Sequence, residues 1–133
     1  MHKFNVHLPV LVLFSCLVGC GLGQSLQVTS IQLGRSLNED NTVASFTTSF
    51  APGDTVYVSV LTTGAGSGMI GVRWMYGGRA VGEPKKQVSL RDDAATEFHL
   101  QSASGFPVGD YTVEVFLDGQ SVGKKEFRVD NQR

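Results

Sequence analysis

The chain has 133 residues and nearly balanced charge, with 11 Lys plus Arg against 12 Asp plus Glu. Its basic residues are scattered among acids, which excludes an electrostatic nucleic-acid binder. The only cysteines, Cys16 and Cys20, lie near the N-terminus, which excludes a disulfide in everything that follows them.

The first segment in chain order is apolar. Lys3 supplies a short basic start, and Leu8, Val10, Leu11, Val12, Leu13, Phe14, Leu17 and Val18 follow. His7 and Pro9 interrupt its beginning, leaving a clean apolar core of about ten residues, the length of a signal-peptide core. A bilayer of roughly 30 Å needs about 20 such residues, so this core is too short to span. Its end, Leu17-Val18-Gly19-Cys20, resembles the lipobox of bacterial lipoproteins. The resemblance implies cleavage before Cys20, a thioether-linked diacylglycerol on that cysteine and an acyl chain on the new N-terminus. More than one chain anchors stably, whereas a single chain binds only marginally. A buried N-terminal element, or a secretory signal cut elsewhere such as before Gln24, remains the alternative. Gly21 follows the cysteine and no Asp stands there, which in Gram-negative lipoproteins implies the outer membrane.

Residues 1–19 are therefore read as leader, 20–25 as a lipidated tether and 26–133 as a single domain. Within that domain the apolar period is two, and helical spacing is absent. Leu26 to Leu33 reads as a strand whose apolar side switches, predicting a kink near Ser30. Val43 to Phe50 puts Phe46 and Phe50 on one face, and Pro52-Gly53-Asp54 is a turn. Val56, Val58 and Val60 alternate next. The glycine-rich stretch Gly64-Ala65-Gly66-Ser67-Gly68 reads as a loop before Ile70 to Tyr76. Gly77-Gly78 suits a hairpin turn, with Val81 expected opposite Trp74. Short strands follow at Val88/Leu90 and Phe98/Leu100, then Tyr111 to Leu117, the turn Asp118-Gly119 and a return strand to Val129.

The last hairpin contains a register conflict. A two-residue turn at Asp118-Gly119 pairs Val115 with Val122 and would send Lys124 and Glu126 inward, Phe127 and Val129 outward. An unpaired residue between Gly123 and Lys125 corrects this, so a β-bulge is expected there.

About seven or eight strands at this spacing predict an all-β antiparallel sandwich. Trp74 on a central strand and Gly109-Asp110-Tyr111-Thr112-Val113 resemble immunoglobulin-like and fibronectin-type domains. That resemblance implies a buried Trp and a tyrosine corner, in which Tyr111 bonds back to the backbone.

Signals for chemistry are few. His99 is the single histidine after the leader, and strand alternation puts it on the solvent side. Ser67 has no G-x-S-x-G elbow around it and no histidine base, and the glycines lack the Lys-Ser/Thr ending of a phosphate loop. Asp92-Asp93 and Glu39-Asp40-Asn41 lack calcium-loop spacing. The expectation is no catalytic residue, no cofactor and no metal. Lys85-Lys86 and Lys124-Lys125 read as solubilising charge. Phe116 falls on the face opposite the core, so a half-exposed aromatic is expected.

The function these features point to is a non-catalytic, membrane-anchored module that binds a protein of the bacterial envelope. Its candidate partner surface comprises Gly64, Gly66, Ser67, Gly68 and Phe116. Thr62-Thr63-Gly64 faintly resembles part of one loop motif of immunoglobulin-like cysteine-protease inhibitors, without the Asn-Pro before it and with Ala65 in place of the aromatic. Protease inhibition is the alternative, with carbohydrate binding behind it.

Overall fold

The structure, a computed structural model, describes residues 25–131. The leader, Cys20 and most of the tether lie outside the described residues. Among the described residues nine strands form two sheets. They are β1 (Gln27–Gly34), β2 (Ser49–Phe50), β3 (Val56–Thr63), β4 (Gly66–Tyr76), β5 (Arg79–Gly82), β6 (Lys85–Leu90), β7 (Ala94–Leu100), β8 (Gly109–Leu117) and β9 (Gln120–Val129). The smaller sheet has the order β1-β3-β7, and the larger runs β2-β9-β8-β4-β5 with β6 also on β4. All pairs are antiparallel except β2 with β9, which is parallel. The all-β sandwich expected from the sequence is present, with more strands than anticipated and this one parallel pair.

Period-two alternation produces the core. Val56, Val58 and Val60 of β3 face Ile70, Val72 and Trp74 of β4 and Tyr111, Val113 and Val115 of β8, and all are buried. Trp74 is 1 % exposed. Phe127 packs edge-on against Trp74 at 6.0 Å and Phe50 at 5.5 Å, and stacks on Tyr111 at 5.1 Å. Such pairs contribute about 0.5–1.5 kcal/mol each beyond the area they bury. The Tyr111 hydroxyl donates to the Pro107 carbonyl at 2.7 Å, as the tyrosine-corner resemblance implies. Tyr76 stacks on Tyr111 at 4.5 Å and donates to the Val108 carbonyl at 2.9 Å.

The bulge of the last hairpin exists, one residue earlier than the expected window begins. Leu117 pairs with Gln120 and Phe116 with Ser121, but Val115 pairs with Gly123, so Val122 is the extra residue. Gly123 takes φ 154°, and a Cβ there would lie 3.0 Å from the Ile31 side chain. Only glycine fits that backbone beside β1 without strain. The correction turns Phe127 and Val129 inward, as the sequence required. The kink in β1 also falls where expected, between Val28 and Ser30.

Three local expectations fail. Phe46 and Phe50 do not share a face: Phe50 is 1 % exposed and Phe46 64 %. The chain between them leaves β1, where Gly34 bridges Phe46, and crosses to β9, so alternation does not carry through. Val81 does not oppose Trp74. A register shift in β4–β5 brings Gly82 there, and Val81 is exposed. The glycine-rich loop is mostly strand, because Gly66, Ser67 and Gly68 pair with Leu90, Ser89 and Val88 of β6.

The connection from 35 to 48 folds over the outer side of the small sheet. Leu37 bridges Val43, and the Val43 N–H donates to the Gln32 side chain at 3.1 Å. Ser59, which alternation turns away from the core, is also fully buried. Among the described residues nothing covers the outer face of the larger sheet.

Trp74→Ala should remove about 3–5 kcal/mol from a total stability of about 5–15 kcal/mol. Urea denaturation followed by circular dichroism should show a midpoint moved to low denaturant, with little folded population in reserve.

Candidate functional site

Met69, Gly71 and Arg73 of β4 and Glu114 and Phe116 of β8 alternate with the core residues and project from the larger sheet. Register places Gly71 between Phe116 on one side and Lys85 on the other. With no side chain at its centre, this spot is a shallow depression of about 350 Å³ lined by Met69, Arg73, Glu83, Lys85 and Phe116. A Cβ on Gly71 would lie 3.2 Å from the Lys85 stem. The Arg73 guanidinium sits 4.9 Å from the Phe116 ring centroid and its Nε donates to Glu83 Oε1 at 2.7 Å. The cation over the ring contributes about 0.5–1 kcal/mol at an exposed site. The exposed ion pair adds about 0–1 kcal/mol, so this arrangement orders a surface rather than holding the fold together.

Phe116 is half-buried, as expected from its face. Tyr57 and Leu61 lie on the other sheet and form no patch with it. Gly64 belongs to the tight turn between β3 and β4, and none of Gly64, Gly66, Ser67 or Gly68 lines the depression. Gly68 is buried, where an added Cβ would meet the Leu26 and Leu117 side chains at 3.3 and 3.2 Å. The proposed partner surface therefore separates into two places: Gly64 lies in a turn, Gly66 and Ser67 are exposed at the start of β4, and Gly68 alone is packed. Thr62 is 2 % exposed and Thr63 ends β3, so the residues that resembled an inhibitor motif do not project as a loop. The sequence does not single out Met69, Arg73 or Glu83, and Lys85 reads there only as solubilising charge. Alternation places Met69 and Arg73 outside, but their meeting with Phe116 and Lys85 depends on cross-strand register.

Further along the same face the side chains alternate in charge. Arg73, Glu114 and Lys124 are cross-strand neighbours, and Arg128 donates to Asp110 at 2.8 Å. The face is well solvated apart from the Phe116 depression.

Glu97, His99, Lys86 and Asp40 have structural partners. His99 Nδ1 lies 3.1 Å from Glu97 Oε2, and the Lys86 ammonium donates to Glu97 Oε1 at 3.2 Å and to the Glu97 backbone carbonyl. Burial pushes the Glu97 carboxyl up, but the hydrogen bonds from His99 and Lys86 outweigh it and hold the group below its ordinary value. Asp40 accepts from the Thr42 hydroxyl at 2.6 Å and from the Thr42 N–H at 3.0 Å, which lowers its pKa and makes it part of a local turn. Burial, with Tyr76 beside it, raises the Tyr111 hydroxyl. Among the described residues no group of three or more His, Cys, Asp or Glu side chains is placed to hold a metal ion.

A depressed folded-state carboxylate stabilises above its unfolded pKa of about 4 and loses that contribution as pH falls through the folded value. Glu97→Gln should therefore melt below the parent chain at neutral pH, and the gap should narrow as pH falls below about 4 and through the folded value. Thermal midpoints recorded across that range check the sign.

No family model matches the sequence, and no curated protein matches it. Solved structures do match in fold. An immunoglobulin-like protein from Pseudomonas aeruginosa superposes with a TM-score of 0.54 at 11 % identity, covering 80 % of this chain and 98 % of that one. A β-glucosidase from Erythrobacter marinus gives a TM-score of 0.54 at 16 % identity, covering 80 % of this chain but only 15 % of the enzyme. At these identities the likeness is one of fold: the domain is an immunoglobulin-like sandwich.

Proposed function

We propose that the protein is a non-catalytic lipoprotein, anchored through acyl chains on Cys20, whose sandwich binds another envelope protein at the outer face carrying Phe116. The observation that carries this reading is the depression around Gly71. A half-buried aromatic ring, held under a guanidinium and beside Met69, offers an apolar contact ringed by Arg73, Glu83 and Lys85. Interfaces concentrate their binding energy in such aromatic and arginine positions. The anchor rests on the Leu17-Val18-Gly19-Cys20 motif and its apolar leader. A lipid anchor supplies membrane residence, which leaves the domain's surface for recognition.

Two substitutions test the two halves separately. Cys20→Ser should abolish labelling by an alkyne fatty acid and release the protein from the membrane fraction, and unchanged labelling would remove the anchor from this reading.

Phe116→Asp should lower recovery of the parent chain's crosslinked envelope partner by about tenfold, the loss of a single hot-spot side chain. Its thermal midpoint should stay nearly unchanged because the ring is outside the core. Undiminished recovery with a folded variant would exclude this face as the contact.

A further inference from the structure

β2 occupies only two positions of the long edge of β9, pairing Ser49 with Arg128 and Phe50 with Val129. The Arg128 N–H donates to the Thr48 carbonyl and the Asp130 N–H to the Phe50 carbonyl. Alternation along a strand sends the N–H groups of Lys124 and Glu126 the same way, where no strand of the described residues pairs with them. Across the opening lies the edge of β1, paired there only at its end, where the Thr47 N–H donates to the Leu33 carbonyl and Gly34 bridges Phe46. Between the two runs a groove floored by Ile31 and Gly123, with Val28 and Val122 along one stretch and Phe46 at the other. Phe46 and Val122 are 64 % and 41 % exposed. The only charged residues lining the groove, among the described residues, are Lys124 and Lys125, and neither has an ion-pair partner there.

We propose that this groove takes an extended acidic segment of a partner protein as a strand added to β9. Its apolar side chains would face Ile31 on the inner side, and carboxylates alternating with them would meet Lys124 on the outer side, with Lys125 at the inner lip adding positive charge to the groove. Strand addition draws affinity from main-chain hydrogen bonds and specificity from alternate side chains, and this edge offers both. A second copy of the chain is a poor occupant. Two β9 edges laid antiparallel would set lysines against lysines, and like charges opposite one another destabilise a strand pair. The inference rests on reading the domain as a protein-binding module but assigns the contact to a different surface from the Phe116 face.

The probe is a capped synthetic peptide of about six residues, the usual length of a strand, alternating Val and Glu. A Val/Lys peptide of equal length serves as the control. Both are titrated into the purified full-length chain in neutral detergent micelles, with backbone amide shifts and fluorescence anisotropy as readouts. The Val/Glu peptide should shift the amides of Lys124, Glu126 and Ile31 and bind more tightly than Val/Lys by at least about tenfold, the scale of a charge-complementary contact. Lys124→Glu/Lys125→Glu should reverse that preference, with Lys124→Gln/Lys125→Gln as the milder variant if folding suffers. Phe116→Asp should leave peptide binding unchanged, so failure of that face and failure of this edge are read independently. Absence of Val/Glu binding, equal binding of the two peptides, or shifts confined to the Phe116 face would overturn the proposal. So would capture of the peptide-free chain by anionic phospholipid vesicles through the same two lysines, which would make the groove a headgroup contact.

Discussion

One unpaired residue sets the packing of this domain. Val122 is the extra residue of β9, and the half-turn of register it introduces decides which face of the strand holds Phe127. Without it, the turn at Asp118-Gly119 would send Lys124 and Glu126 into the sandwich. With it, Phe127 reaches the centre and touches Phe50, Trp74 and Tyr111. Those three rings belong to β2, β4 and β8, so one side chain joins four strands of the larger sheet. Gly123 is the accompanying requirement, because the bulged backbone passes so close to Ile31 that no Cβ fits there unstrained. The register of the hairpin and the packing of the core are thus one constraint.

Much of this was legible because the information was local. Alternation in β3, β4 and β8 identifies inward residues correctly, and the conflict between turn length and hydrophobic pattern in β8–β9 is visible without coordinates. What failed was non-local. Phe46 and Phe50 are separated by a crossing from one sheet to the other, and no two-residue period survives a change of sheet. An unbroken ladder would set Val81 opposite Trp74, and a register shift gives that position to Gly82. The glycines from Gly64 to Gly68 resemble a loop in composition. Yet Gly68 is a glycine because Leu26 and Leu117 close over it, a contact between segments far apart in sequence. The candidate site divides the same way: the exposure of Phe116 follows from its strand, while Arg73, Glu83 and Lys85 join it only through pairing.

The two sheets treat their outer faces differently, and this directs where recognition can occur. On the small sheet the connection from 35 to 48 is tied to β1 through Val43 and Gln32, and Ser59 on the outer side of that sheet is fully buried. On the large sheet nothing lies over β4, β8 and β9 among the described residues, and rows of opposite charge keep that face in water. A solvated sheet face is ordinarily inert. The break in this one is Gly71, where a missing side chain lets Phe116, Arg73 and Lys85 converge on bare backbone.

The edge of β9 carries devices that natural sheets use against unwanted pairing: a bulge, two lysines and a short flanking strand. These devices discriminate rather than forbid. A bulge twists the edge away from a flat copy of itself, and lysines repel a basic or identical strand while attracting an acidic one. Here the bulge cannot be removed to make the edge safer, since the inward position of Phe127 depends on it. The domain has no disulfide to compensate for a weakened core, because residues 25–131 contain no cysteine. The bulge must therefore stay for the sandwich to fold, and at the edge it leaves unpaired among the described residues the lysines would favour a strand of opposite charge.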